Sequence, residues 1–157
     1  EEGADKVAVN SAALATPDLI DRLATRFGSQ CVTLAIDAAR HDSGWQVRRR
    51  GGRDATPRGA VAWALEGARR GAGEVLLTSI DRDGTREGYD LELLRAVTGV
   101  VTIPVIASGG ARVADDLAAA IAAGADAVLA ASIFHDGDTS VGDVKDQLAR
   151  HGLEIRR

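Results

Sequence analysis

The 157-residue sequence predicts an α/β fold built on a parallel sheet. Three observations carry that prediction. Short apolar or β-branched runs alternate with longer stretches of helical pattern. The short runs are nearly continuously apolar, as in parallel strands covered on both faces. The helix-to-strand joints are near copies of one another: Arg70-Gly71-Ala72-Gly73-Glu74, Ala123-Gly124-Ala125-Asp126-Ala127 and, at the start, Glu2-Gly3-Ala4-Asp5-Lys6. Repetition of that joint marks a repeated strand–helix unit with a period of roughly 25 to 40 residues, and the chain is expected to open at the tail of a helix whose body is absent.

In chain order, strands are expected at 6–9, 32–36, 74–78, 105–107 and 127–131. Thr16-Pro17-Asp18 reads as an N-cap followed by a proline at the first helical position, opening a helix to about residue 26. Thr56-Pro57 reads as a second such start, before a helix over 60–70. Further helices are expected at 91–97, 113–123 and 141–151. Gly28, Gly71 and Gly124 each follow a helical run and suit a left-handed helix end. The polar, Gly-rich and basic segment 38–55 breaks the alternation and reads as a short hairpin inserted in a strand-to-helix loop, with Trp45 and Val47 as hairpin positions. Its Arg48-Arg49-Arg50 run reads as a solvated face, because no aromatic platform accompanies it.

Composition narrows the function. Charged residues make up 27% and apolar residues 45%, normal for a soluble globular protein. A net charge of −4 argues against a general nucleic-acid or anionic-membrane binder. One cysteine, Cys31, closes no internal disulfide, and the apolar runs are too short to span a bilayer. An acidic start, Glu1-Glu2, does not fit a signal peptide, and a cytoplasmic location is expected. Three scattered histidines and one cysteine suggest no metal centre.

The chemical signal is positional. Each apolar strand ends in polar or glycine residues: Asn10-Ser11, Asp37, Thr78-Ser79 followed by Asp81, Asp83 and Gly84, then Ser108-Gly109-Gly110, then Ser132. In parallel α/β architectures these ends converge on one rim, where ligands bind. A carboxylate ending a buried strand needs a partner or a purpose, so Asp37 reads as a catalytic candidate or as a cap for the next loop. Ser108-Gly109-Gly110 and Ala130-Ala131-Ser132, on consecutive strands, read as anion-binding loops or as tight turns.

Ala35-Ile36-Asp37-Ala38, the run from Leu77-Thr78-Ser79-Ile80-Asp81 through Arg82-Asp83-Gly84-Thr85, Gly88-Tyr89-Asp90, Ile106-Ala107-Ser108-Gly109-Gly110 and Ala130-Ala131-Ser132-Ile133-Phe134-His135 stand in that order. Over essentially all 157 residues the chain thereby resembles the cyclase-subunit family of imidazole glycerol phosphate synthase, from histidine biosynthesis. The resemblance implies a (βα)8 TIM barrel, of which this chain holds the C-terminal part, about strands four to eight, as a half-barrel of about five parallel strands without the N-terminal part. It implies a lyase that joins ammonia to a phosphoribulosyl-formimino-aminoimidazole-carboxamide ribotide by general acid/base catalysis, giving imidazole glycerol phosphate and aminoimidazole carboxamide ribotide. Asp37 matches the fifth-strand catalytic carboxylate, and the first-strand carboxylate has no counterpart, so the chain alone is expected to be inactive. Asp83, Gly84, Ser108, Gly109, Gly110, Ala131 and Ser132 match the loops around one substrate phosphate; Asp83 is assigned to loop ordering or a sugar hydroxyl. Asn10 and Ser11 match part of the second phosphate site, Thr78 a rim threonine that places substrate, and Lys6 and Glu74 half of a charged gate for ammonia. No cofactor is implied. The implied partners are a glutaminase subunit supplying ammonia, the phosphorylated small-molecule substrate, and the missing N-terminal half or a second copy of the chain. Two alternatives share the pattern: the phosphoribosyl-formimino isomerase of the same pathway, and a non-catalytic phosphate-binding half-barrel. A flavodoxin-like nucleotide binder fits the alternation but not the 77–85 run.

Overall fold

The computed structural model describes residues 3–156, so Glu1, Glu2 and Arg157, including the first residue of the opening joint, lie outside it. Its elements run β1 (Val7–Val9), α1 (Ser11–Ala15), α2 (Asp18–Phe27), β2 (Val32–His41), β3 (Gly44–Arg49), β4 (Asp54–Gly59), α3 (Ala60–Arg69), β5 (Glu74–Ser79), α4 (Leu91–Thr98), β6 (Val105–Ser108), α5 (Ala114–Ala122), β7 (Ala127–Leu129), α6 (Ser132–His135) and α7 (Val141–Arg150). The five expected strands are β1, β2, β5, β6 and β7, and they pair in parallel, each with the next in sequence. That succession is the wall of a barrel, and the sheet is not closed: among the described residues β1 and β7 do not pair.

Helices cover one face of this wall. On β2, Val32, Leu34, Ile36 and Ala38 are fully buried, and they meet Ile20 of α2 and Trp63 and Ala64 of α3 in a single apolar core. Val75 and Leu77 of β5 and Val105 and Ala107 of β6 continue that layer. Burying one such aliphatic side chain is worth about 1.5–3 kcal/mol. The alternate residues of the same strands, Thr33, Ala35 and Asp37 on β2 and Glu74, Leu76 and Thr78 on β5, lie on the opposite, inner face. At the covered edge, Arg70 ties α3 to α2 through ion pairs with Asp21 at 2.8 Å and Asp18 at 3.0 Å.

The structure alters several element boundaries. Thr56-Pro57 does not start a helix: both residues belong to β4, an outer strand where a proline without an N–H is tolerated, and α3 begins at Ala60. The expected hairpin is β3–β4, and pairing with β3 extends β2 to ten residues. A two-residue turn at Asp42 and Ser43, with Asp42 at φ +49°, joins β2 to β3. Pro17 itself precedes α2, and no side-chain cap from Thr16 forms. The short α1 was not expected, and β7 stops at Leu129, leaving Ala130 and Ala131 in a loop. Gly28, Gly71 and Gly124 all carry positive φ at helix ends, as expected. Among the described residues no helix is long and apolar enough to cross a membrane.

Candidate functional site

Strand register builds the site. Across the wall Asp37 stands opposite Thr78, Thr78 opposite Ser108, and Ser108 opposite Leu129. On the other side of β2, Asp37 stands opposite Arg48 of β3. Arg48, Asp37, Thr78 and Ser108 therefore form a polar row at the C-terminal ends of the parallel strands, all on the inner face. Asn10, just after β1, donates from Nδ2 to Asp37 Oδ2 at 3.0 Å. Its own Oδ1 is buried and has no partner among the described residues.

Asp37 is half-buried, and its carboxyl is pushed above the usual carboxylate range. Burial is the main cause. The Asn10 hydrogen bond pulls the other way, and repulsion from the Asp83 carboxylate adds to the rise. Proton-transferring carboxyls need such tuning, because a raised pKa brings the group nearer to neutral pH.

One strand further on, the loops after β5, β6 and β7 enclose a cavity of about 120 Å³ lined by Asp83, Gly84, Arg86, Gly109, Gly110 and Ser132, among others. Ser108 and Ala131 also line it. Among the described residues, the N–H groups of Gly84, Gly109, Gly110 and Ala131 donate to no carbonyl or side chain, which leaves several amide donors around one cavity. Two of these glycines are required by space as well as by backbone angle. At φ +92° and +101°, a β-carbon on Gly109 would meet Ser79 O at 2.7 Å, and one on Gly110 would meet Gly88 O at 2.2 Å. The Gly88-Tyr89-Asp90 motif fastens this rim. Gly88 N donates to Gly110 O at 2.8 Å, Tyr89 Oη donates to Leu129 O at 2.9 Å, and Asp90 caps α4 by accepting from Leu93 N at 3.0 Å. Trp45 Nε1 also donates to Asp90, at 3.0 Å, which pins the hairpin to α4.

At the opposite end of the strands, Lys6 Nζ meets Glu74 Oε2 at 2.5 Å, and Thr33 Oγ1 donates to Glu74 Oε1 at 2.6 Å. Burial alone would raise the Glu74 carboxyl, but these two hydrogen bonds and the Lys6 charge hold it below its ordinary value.

The rim residues singled out from sequence fall into two neighbouring groups. Asn10, Asp37 and Thr78 share one, and Asp83, Gly84, Ser108, Gly109, Gly110, Ala131 and Ser132 the other, with Ser108 also in the row beside Thr78. Ser11 turns away from both: its Oγ accepts from Arg50 N at 3.3 Å, on the hairpin. Lys6 and Glu74 lie at the far end, as a pair. Sequence reasoning missed Arg48 and Arg86. Of the three consecutive arginines, Arg49 and Arg50 pair with Asp54, while Arg48 makes no ion pair among the described residues and faces the Asp37 side of the sheet. Only the register fixed by the two-residue turn, seen in the fold, separates Arg48 from its neighbours.

A five-strand parallel wall with helices on one face, a carboxyl of raised pKa on the other and a cavity among the loops at the strand ends defines an open, barrel-type α/β domain. The chain belongs to the histidine biosynthesis protein family, whose model matches residues 1–140. It is 55% identical over 161 aligned positions to the imidazole glycerol phosphate synthase subunit HisF of Mycobacterium tuberculosis (strain ATCC 25177 / H37Ra), covering 98% of this chain and 60% of that protein. It is 54% identical, with the same coverage, to the HisF subunit of Mycobacterium bovis (strain BCG / Pasteur 1173P2). The chain thus spans about 60% of the length of these curated relatives.

Proposed function

We propose that the chain is the C-terminal part, strands four to eight, of a cyclase that joins ammonia to a phosphoribulosyl-formimino-aminoimidazole-carboxamide ribotide, releasing imidazole glycerol phosphate and aminoimidazole carboxamide ribotide. The observation that carries this reading is the setting of Asp37: a half-buried carboxyl with a raised pKa, oriented through one oxygen by Asn10 and flanked in register by Thr78. Asn10 holds Oδ2, so Oδ1 is the oxygen that gives and takes the substrate's proton. Thr78 and Arg48, on either side, place the polar body of the substrate against it. One phosphate seats on the amides of Gly84, Gly109, Gly110 and Ala131, which carry no net charge and so fit a chain that is acidic overall. Asp83 orders the loop or meets a sugar hydroxyl, and Asn10 lies toward the second phosphate. Lys6 and Glu74, at the far end of the same strands, form half of the gate through which ammonia from a glutaminase partner passes. The site of action is the cytoplasm.

A second carboxylate must complete the acid/base pair, so the chain alone, even self-associated, turns over no substrate; it acts when joined to an N-terminal half. The test is ammonia-dependent turnover by the chain alone, by the chain with the N-terminal half of a relative, and by that reconstituted enzyme carrying Asp37→Asn. Turnover only in the second sample supports the reading. Robust turnover by the chain alone, or by the Asp37→Asn enzyme, overturns it. One observation favours a second reading, a phosphate-binding half-barrel without catalysis: the anion cavity needs no residue beyond those described. Phosphate binding with no turnover in the reconstituted sample would select it.

A further inference from the structure

Among the described residues Arg86 is the one basic side chain lining the cavity, and its charge is engaged by carboxylates rather than left free. Its guanidinium spans two carboxylates beyond β7: Nη1 meets Asp138 Oδ2 at 2.9 Å, and Nη2 meets Asp136 Oδ2. Arg86 also stands at φ +60°, a left-handed angle that a side chain with a β-carbon rarely adopts and that recurs in ligand clamps. The two carboxylates are about half exposed, so water screens both pairs and replaces the lost contacts readily when they open. A phosphomonoester on the amides would carry up to two negative charges next to Asp83, with no other side-chain cation in the cavity wall to balance them. A planar guanidinium fork meets phosphate oxygens two at a time, a stronger arrangement than two separate screened pairs.

We propose that Arg86 is an exchangeable phosphate ligand: Asp136 and Asp138 hold it at the cavity mouth, and a bound phosphomonoester takes it from them, closing the loop after β5 over the ligand. The proposal rests on the phosphate reading of the cavity given above. It makes the two carboxylates competitors of the ligand, so the two ends of one ion-pair cluster have opposite effects on binding.

The test is calorimetric titration of the full chain with inorganic phosphate at fixed ionic strength. It compares the unaltered protein, Arg86→Gln, Arg86→Lys and the double variant Asp136→Asn with Asp138→Asn, with circular dichroism confirming the fold of each. Arg86→Gln should weaken phosphate binding roughly tenfold, the worth of about one charge-assisted contact, with Arg86→Lys between it and the unaltered chain. The double Asn variant should bind phosphate several-fold more tightly. If the double variant binds equally or more weakly, Arg86 is only a structural tie and the proposal falls while the phosphate reading stands. If the unaltered chain binds no phosphate, that reading falls and takes this proposal with it.

Discussion

Gly110 offers a sharp test of how the cavity at the strand ends is made, because Gly137 gives a matched control. Both have positive φ, +101° and +77°, so alanine at either site meets an unfavourable backbone angle. That angle costs about 1–2 kcal/mol for a residue with a β-carbon. At Gly137 nothing lies within 4 Å of the added carbon, so the angle is the whole cost. At Gly110 the carbon would sit 2.2 Å from Gly88 O and 3.0 Å from the Arg82 β-carbon. The Gly88–Gly110 strap must then open, losing its 2.8 Å hydrogen bond, worth about 1 kcal/mol, and unpacking the Tyr89 rim. The expected totals are about 1.5 kcal/mol for Gly137→Ala and about 3–4 kcal/mol for Gly110→Ala. In a domain of this size these correspond to about 3–6 °C and about 6–16 °C in Tm. Urea unfolding followed by tryptophan fluorescence measures the difference, read from the midpoint provided the slope is unchanged. Phosphate binding should be lost in Gly110→Ala and kept in Gly137→Ala. Equal destabilisation by the two variants would refute the close approach of Gly110 to Gly88 as the origin of the cavity's shape.

Three further outcomes are expected. Because the folded-state pKa of Asp37 is raised above its ordinary 3.8, the folded protein binds that proton more tightly than the unfolded chain, and stability is lost as pH rises through the interval between them. Asp37→Asn should therefore unfold at higher urea than the unaltered chain at pH 7, with the gap closing toward pH 3; a variant less stable at pH 7 would contradict this. Glu74 has the opposite sign: its pKa lies below the ordinary 4.5, so its pairing with Lys6 and Thr33 stabilises the fold above that value and is lost as pH falls through the folded-state pKa. Glu74→Gln should cost about 1 kcal/mol at pH 7 and little at pH 3, in the same urea assay. Asp83→Asn removes a repulsion, so NMR titration of the Asp37 carboxyl should move to lower pH; no movement would place the two carboxylates out of each other's reach.

Much of this was legible in the sequence, for reasons visible in particular residues. The parallel strands announce themselves because Val32, Leu34 and Ile36 are packed by helices while, on the inner face, Thr33 is also buried and Ala35 half-buried, so the run stays largely apolar. The rim residues follow from the same fact, since a parallel strand's C-terminal end is fixed once the strand is found. Thr56-Pro57 misled because a Thr-Pro pair suits an outer strand as well as a helix start, and only pairing with β3 decides between them. Arg48 was illegible for a related reason. Which of three arginines faces Asp37 depends on antiparallel register, and that is set by a turn whose length the residues alone leave open. Arg86 carried no signal at all, because its partners lie 50 and 52 residues away, across two strand crossings.

The placement of the hairpin has a consequence for the order of assembly. β2 has one edge shared end to end by two partners, β1 along residues 32–34 and β3 along 37–41, and the other edge taken by β5. The contact with β3 closes across a two-residue turn and forms on the microsecond scale, whereas the contact with β5 must wait for a loop of about 40 residues to close. The β2–β3–β4 ribbon therefore exists first, and its free edge is the template on which β5, β6 and β7 are laid down in the order the ribosome delivers them. Pulse-labelled amide protection should appear in β2 and β3 before β6 and β7. The insertion that interrupts the repeat is, in kinetic terms, the seed of the wall it decorates.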